Sequence, residues 1–71
     1  MPGTLREIYI DASVLSPAEF SEFYDAVDHH AFFCSYDSKR PRCFTAYWPS
    51  SAGPIDEVVF LPAGVVVSPL R

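Results

Sequence analysis

The chain has 71 residues, 49% of them hydrophobic and 15% aromatic, and nine acids against five Lys and Arg give a formal charge of −4. That length predicts one domain, residues 1–71, near the lower size at which a single core holds without staples, and the composition excludes a disordered polar tail. No apolar run approaches the roughly 18 residues of a membrane span, and "MPGTLREIYID" lacks the basic and then apolar layout of a signal peptide, so a cytoplasmic protein with reduced cysteines is expected.

"TLREIYID" alternates Arg6, Ile8 and Ile10 against Leu5, Glu7 and Tyr9, the period of two of a strand with one apolar face. In "SPAEFSEFYDAVDHHA", Ser16 is placed to cap a helix, Pro17 suits its first position and Glu19 completes a Ser-x-x-Glu capping box. At 100° per residue, Phe20, Phe23, Tyr24, Val27 and Ala31 form one stripe, while Glu22, Asp25, Asp28 and His29 lie opposite. His30 falls near the stripe, so a half-buried His30 beside a solvated His29 is expected at the helix end. "AFFCSY" and "RCFTAYW" flank the polar "DSKRP" and predict a hairpin. "PSSAGP" reads as a loop, and "DEVVFLPAGVVVS" as a second hairpin, or one bent strand, around Leu61-Pro62-Ala63-Gly64.

The expected fold class is α+β: a small antiparallel sheet of four to five strands with one amphipathic helix packed on one face, in the order β-α-β-β-β(-β). One helix covers one face, yet both sets of alternating hairpin residues are apolar. The uncovered face, with Phe33, Tyr47 and Trp48 as its marked residues, is therefore expected either to form a second interface or to lie beneath the loops "PSSAGP" and "SPLR".

His29, His30, Cys34 and Cys43 supply zinc-type ligands, but without a Cys-x2-Cys or His-x3-His knuckle, and adjacent helical histidines point about 100° apart; no metal or cofactor is expected. A hairpin symmetric about Ser38 and Lys39 would set Cys34 directly opposite Cys43, whereas a one-residue slip would send them to opposite faces. Cys34, His30 and Asp28 have the residue types of a nucleophilic site but not its convergence, and no glycine-rich phosphate loop is present, so catalysis is not expected. "KRPRCFTAYW" interleaves bases with aromatics as single-strand nucleic-acid binders do, but four residues make a narrow positive footprint in an acidic chain, so direct nucleic-acid binding is not expected.

The charge is unevenly spread. From Glu7 to Asp37 run seven acids with no Lys or Arg between them, and Lys39, Arg40 and Arg42 follow at once. Glu19, Glu22, Asp25 and Asp28 wind round the predicted helix, with Asp11 and Glu7 as extensions of the patch. Such a run is either a solvated face or an imitation of nucleic acid's line of negative charge that occupies a basic groove on a partner protein. In size, acidity and lack of catalytic parts the chain resembles the general format of phage-encoded inhibitors, anti-CRISPR proteins among them; this likeness of format carries no site residues. The functional expectation is a non-catalytic, protein-binding inhibitor of a nucleic-acid-handling partner, with a homodimeric assembly protein built on the aromatic sheet face as the alternative.

Overall fold

A computed structural model describes residues 4–70. Strand β1 (Leu5–Asp11) leads through a short turn into helix α1 (Pro17–His30), and β2 (Phe33–Tyr36) and β3 (Cys43–Pro49) form a hairpin. A 3-10 turn (Ser50–Ala52) and a four-residue helix, α2 (Ile55–Val58), then precede β4 (Val66–Pro69). The strands form one antiparallel sheet in the spatial order β2-β3-β1-β4, so the two long strands pair centrally and the two short ones are edges.

This is the small α+β arrangement of one sheet and one main helix, with four strands. The element order departs from the expected one after β3, where the second hairpin does not form. Pro54 precedes a helical turn in which Asp56 and Glu57 occupy the favourable amino-terminal end and Ile55, Val58 and Val59 pack against the core. The spacing of those three apolar residues is helical, and the adjacent β-branched pair concealed it. The turn around Pro62 exists one position later than expected, with the Val65 N–H donating to Pro62 O at 3.1 Å, and the strand beyond it pairs with β1.

Helix α1 starts as its sequence dictates. The Ser16 hydroxyl accepts from the Glu19 N–H at 3.2 Å, and Glu19 Oε1 accepts from the Ser16 N–H at 3.0 Å, satisfying two amino-terminal donors. Phe23 and Val27 on the apolar stripe are buried, with Phe20, Tyr24 and Ala31 packed at its margins. Phe44, fully buried in β3, is the anvil for this face: the rings of Phe20, Phe23 and Tyr24 lie 5.8, 6.3 and 4.9 Å from its own. Tyr24 also stacks on Tyr36 at 4.8 Å.

The hairpin register decides which residues meet this core. Phe33 pairs with Tyr47, Cys34 with Ala46 and Tyr36 with Phe44, so Cys43 falls opposite Asp37 rather than Cys34. Directly opposed residues share a face, so this register puts Cys34 and Tyr36 with Phe44, Ala46 and Trp48 under α1. The symmetric register would have split that apolar set between the two faces. The longer loop is built to match: Asp37 Oδ1 accepts from the Lys39 N–H at 2.8 Å, and Arg42, at φ 58, turns the chain into β3.

Trp48 is accordingly not a residue of the outer face. It is 1% exposed, it lies on the helix side, and its Nε1 donates to Gly53 O at 2.7 Å. That bond draws the "PSSAGP" segment over the helix side as well, where Ala52 joins the core. "SPLR" contributes to the edge strand β4 instead of folding across the sheet, with Arg71 outside the described residues. The face opposite α1 bears Leu5, Tyr9, Phe33, Cys43, Thr45 and Tyr47; the hairpin tip folds over its Tyr9 and Cys43 end, while Leu5 and Phe33 at the other end stay exposed.

Candidate functional site

The capping box holds α1 in place, and the stripe facing Phe44 fixes its rotation, so its remaining side must point to solvent. Glu19, Glu22, Asp25 and Asp28 are all exposed there. Among the described residues the one ion pair is Arg40 with Asp11, at 2.8 Å, so none of the four helix carboxylates has a cationic partner. They do not form a single row. Glu19 and Glu22 line a groove toward the α2 side of the molecule, Asp25 sits on the back of the helix, and Asp28 lies beside the Cys34 thiol. Glu19 has a structural task too: the Ser16 N–H and hydroxyl hold its carboxyl below the usual range.

Glu7 and Asp11 do not extend this patch. The β1 residues that meet the core are Ile8 and Ile10, followed by Ala12 just past the strand, so strand alternation turns Glu7 and Asp11 to the opposite face of the sheet. Asp11 is already engaged. Its Oδ1 accepts from the Ser13 hydroxyl at 2.6 Å, the Ser13 N–H at 3.0 Å and the Cys43 thiol at 3.4 Å, and its Oδ2 accepts from Arg40 Nη2. The Ser13 bonds first, then the thiol and the Arg40 charge, hold its pKa down to about 2. Nearby the Tyr9 hydroxyl donates to Asp37 Oδ2 at 2.6 Å, lowering the Asp37 carboxyl and raising the Tyr9 phenol, while Arg40 lies 5.8 Å over the Tyr9 ring.

The basic cluster is thus folded back onto the strand acids. Arg40 is tied to Asp11 and Arg42 Nη2 donates to Ser13 O at 3.2 Å. Of the aromatics interleaved with these bases, Phe44 and Trp48 face inward under α1 while Tyr47 faces outward, so they provide no continuous stacking platform.

The constellation of His29, His30, Cys34 and Cys43 is dispersed. His30 is exposed rather than half-buried, its ring 5.0 Å from that of His29 and perpendicular to it, and 6.4 Å from that of Trp48. Cys34 and Cys43 are both free, buried and on opposite faces of the sheet, because the register is shifted by an odd number of residues from the symmetric one. Burial, reinforced by Asp28, pushes the Cys34 thiol up to about 11, and burial raises Cys43 as well. Both sulfurs are protonated near neutral pH, the wrong state for a nucleophile or metal ligand. Among the described residues no three His, Cys, Asp or Glu side chains converge on one point.

Sequence reasoning missed the groove beside α1. It is an open depression of about 360 Å³ between the helix and the chain after α2. Leu15, Phe23 and Ala26 line one side, and Val59, Phe60 and Pro62 the other. Phe60 is 83% exposed, the largest exposure among the large apolar side chains described. Its signal was present in "VVFLP", an aromatic residue just before a turn, but the assignment of that run to a strand hid it. Another depression, about 380 Å³, at the start of β1 is lined by Leu5, Arg6, Glu7, Ile8 and Pro69 and therefore mixes both charges.

Comparison of the chain with protein-family models, curated proteins and solved structures returns no match. Among the described residues no helix is long and apolar enough to cross a membrane.

Proposed function

We propose that this chain is a small, non-catalytic, cytoplasmic protein-binding module that inhibits a nucleic-acid-handling partner by laying α1 on its basic surface. The observation that carries this reading is the unequal treatment of charge within one small fold. Asp11 and Asp37 are satisfied by the hairpin tip and by hydroxyl donors, whereas the carboxylates of α1 project into solvent with no cationic partner. Acids in the last turn of a helix oppose its dipole, so Asp28 serves the helix poorly as a structural residue. A carboxylate series on a rigid helix offers a basic groove what a phosphate backbone offers it, negative charge at short intervals.

The test uses the full chain as bait in an extract of the source cell, with and without competing DNA or RNA. The captured protein should bind nucleic acid, should be displaced by it, and should be lost when Asp25→Lys and Asp28→Lys are combined in a variant that keeps its circular dichroism spectrum. Capture that is indifferent to the double reversal or to competing nucleic acid would reject the reading.

One observation favours a second reading, a homodimer through the open sheet face. Phe33 is 56% exposed and pairs with Tyr47 at 5.9 Å on the end of that face which the hairpin tip leaves open. Buried Trp48 takes no part in it. Light scattering across a concentration series separates the readings: a dimer insensitive to salt and lost in Phe33→Ser supports the second, and a monomer at every concentration rejects it.

A further inference from the structure

The acids account for attraction to a basic surface, but they do not account for the groove that Glu19 and Glu22 border. Its walls are apolar, Phe60 stands almost wholly in solvent at its edge, and Ala26 is exposed on the helix side, too short to fill the space. The volume of about 360 Å³ suits one or two aliphatic side chains rather than a whole docking helix. No base lines it; the two titratable groups bordering it from α1 are both carboxylates, and the opposite wall, Val59, Phe60 and Pro62, brings no charge. An occupant must therefore carry an aliphatic group and positive charge close together. Free nucleic acid offers neither an aliphatic side chain nor positive charge, and on a second copy's outer face the Arg40 charge is already paired with Asp11.

We infer that the groove between α1 and Val59–Pro62 takes an aliphatic side chain from a Lys- or Arg-rich segment of the partner protein, with Glu19 and Glu22 receiving the flanking charges. The inference rests on the reading of α1 as a docking helix, and it names the part of that contact that gives specificity. Helix acids speed encounter and orient it, while a desolvated apolar anchor within a charged rim slows dissociation. Phe60 would close over the seated side chain and gain a contact that the free protein lacks.

Two synthetic peptides of equal charge test it, Lys-Lys-Ser-Leu-Ser-Lys-Lys and the same peptide with Ser in place of Leu, titrated into the full chain and followed by amide chemical shifts. The Leu peptide should bind about tenfold tighter, as expected for burying one aliphatic side chain, and should shift Ala26, Val59 and Phe60. Phe60→Ser should erase the preference, and Ala26→Gln, which fills the groove without adding charge, should do the same; both residues are exposed, so both variants should fold. Equal affinity of the two peptides would overturn the groove inference and leave the acidic-helix reading standing. A preference lost in Phe60→Ser, with the affinity for both peptides unchanged by combined Asp25→Lys and Asp28→Lys, would uphold the groove and count against the helix face. No binding of either peptide overturns the inference.

Discussion

Replacing Asp28 with Lys should make the fold more stable while weakening partner binding. Asp28 lies in the last turn of α1, which ends at His30, where the helix dipole disfavours a carboxylate by about 0.3–1 kcal/mol. Asp25, three residues earlier, adds repulsion of about 0.2–0.5 kcal/mol. Asp28→Lys turns both terms favourable, and after the loss inherent in ordering a long exposed side chain a net gain of about 1 kcal/mol is expected. Against a total stability of roughly 4–10 kcal/mol for this chain length, that gain should raise Tm by about 4–8 °C. Thermal unfolding followed by circular dichroism at low salt and at about 1 M salt is the assay, because screening at about 3 Å should remove most of the increment. The variant carries its own local readout. Asp28 contributes to the high pKa of Cys34, so the pH midpoint of Cys34 alkylation should fall below about 11 and stay above that of a free thiol, since burial is the larger cause. A lower Tm would refute the argument by showing that Asp28 serves the fold, and a rise that persists at high salt would refute it by showing that the gain is not electrostatic.

Acidification tests the other half of the charge distribution. Asp11 has a folded pKa of about 2, below its unfolded value, so its contribution to stability is present above about pH 4 and is lost as pH falls toward 2; Asp11→Asn should flatten Tm against pH across that window, and an unchanged profile would contradict it. Gly64→Ala should cost about 1–3 kcal/mol in urea unfolding, because Gly64 sits at φ 90 and a Cβ there would lie 3.0 Å from Val14 Cγ2; a neutral substitution would show that this turn is not held as described. Mild oxidation of the folded monomer should leave its two thiols unlinked, and a mass loss of two protons in the monomer would show that Cys34 and Cys43 can meet.

The sequence by itself determined α1 and β1. Ser16, Pro17 and Glu19 are a local instruction, the stripe from Phe20 to Ala31 has one way to face a core, and the alternation from Leu5 to Asp11 has one periodicity. Those signals lie within a few residues of one another, so no distant part of the chain is needed to interpret them. The exposure of Glu22, Asp25 and Asp28 follows from the same helix geometry and was legible for that reason.

What only tertiary structure decided depends on partners far along the chain. The register of β2 on β3 is chosen by the helix that must cover Phe44 and Trp48, and that choice separated the cysteines and buried Trp48. The pairing of β4 with β1 rather than with its own neighbour left Ile55–Val58 free to form a helical turn, although the β-branched pair there suits a strand. Glu7 and Asp11 left the acidic patch because the face a strand turns outward is fixed by the layer packed against it. The groove beside α1 belongs to neither of the segments that line it. It arises where a solvent-facing edge of the helix meets a turn more than thirty residues later, a juxtaposition that packing alone creates.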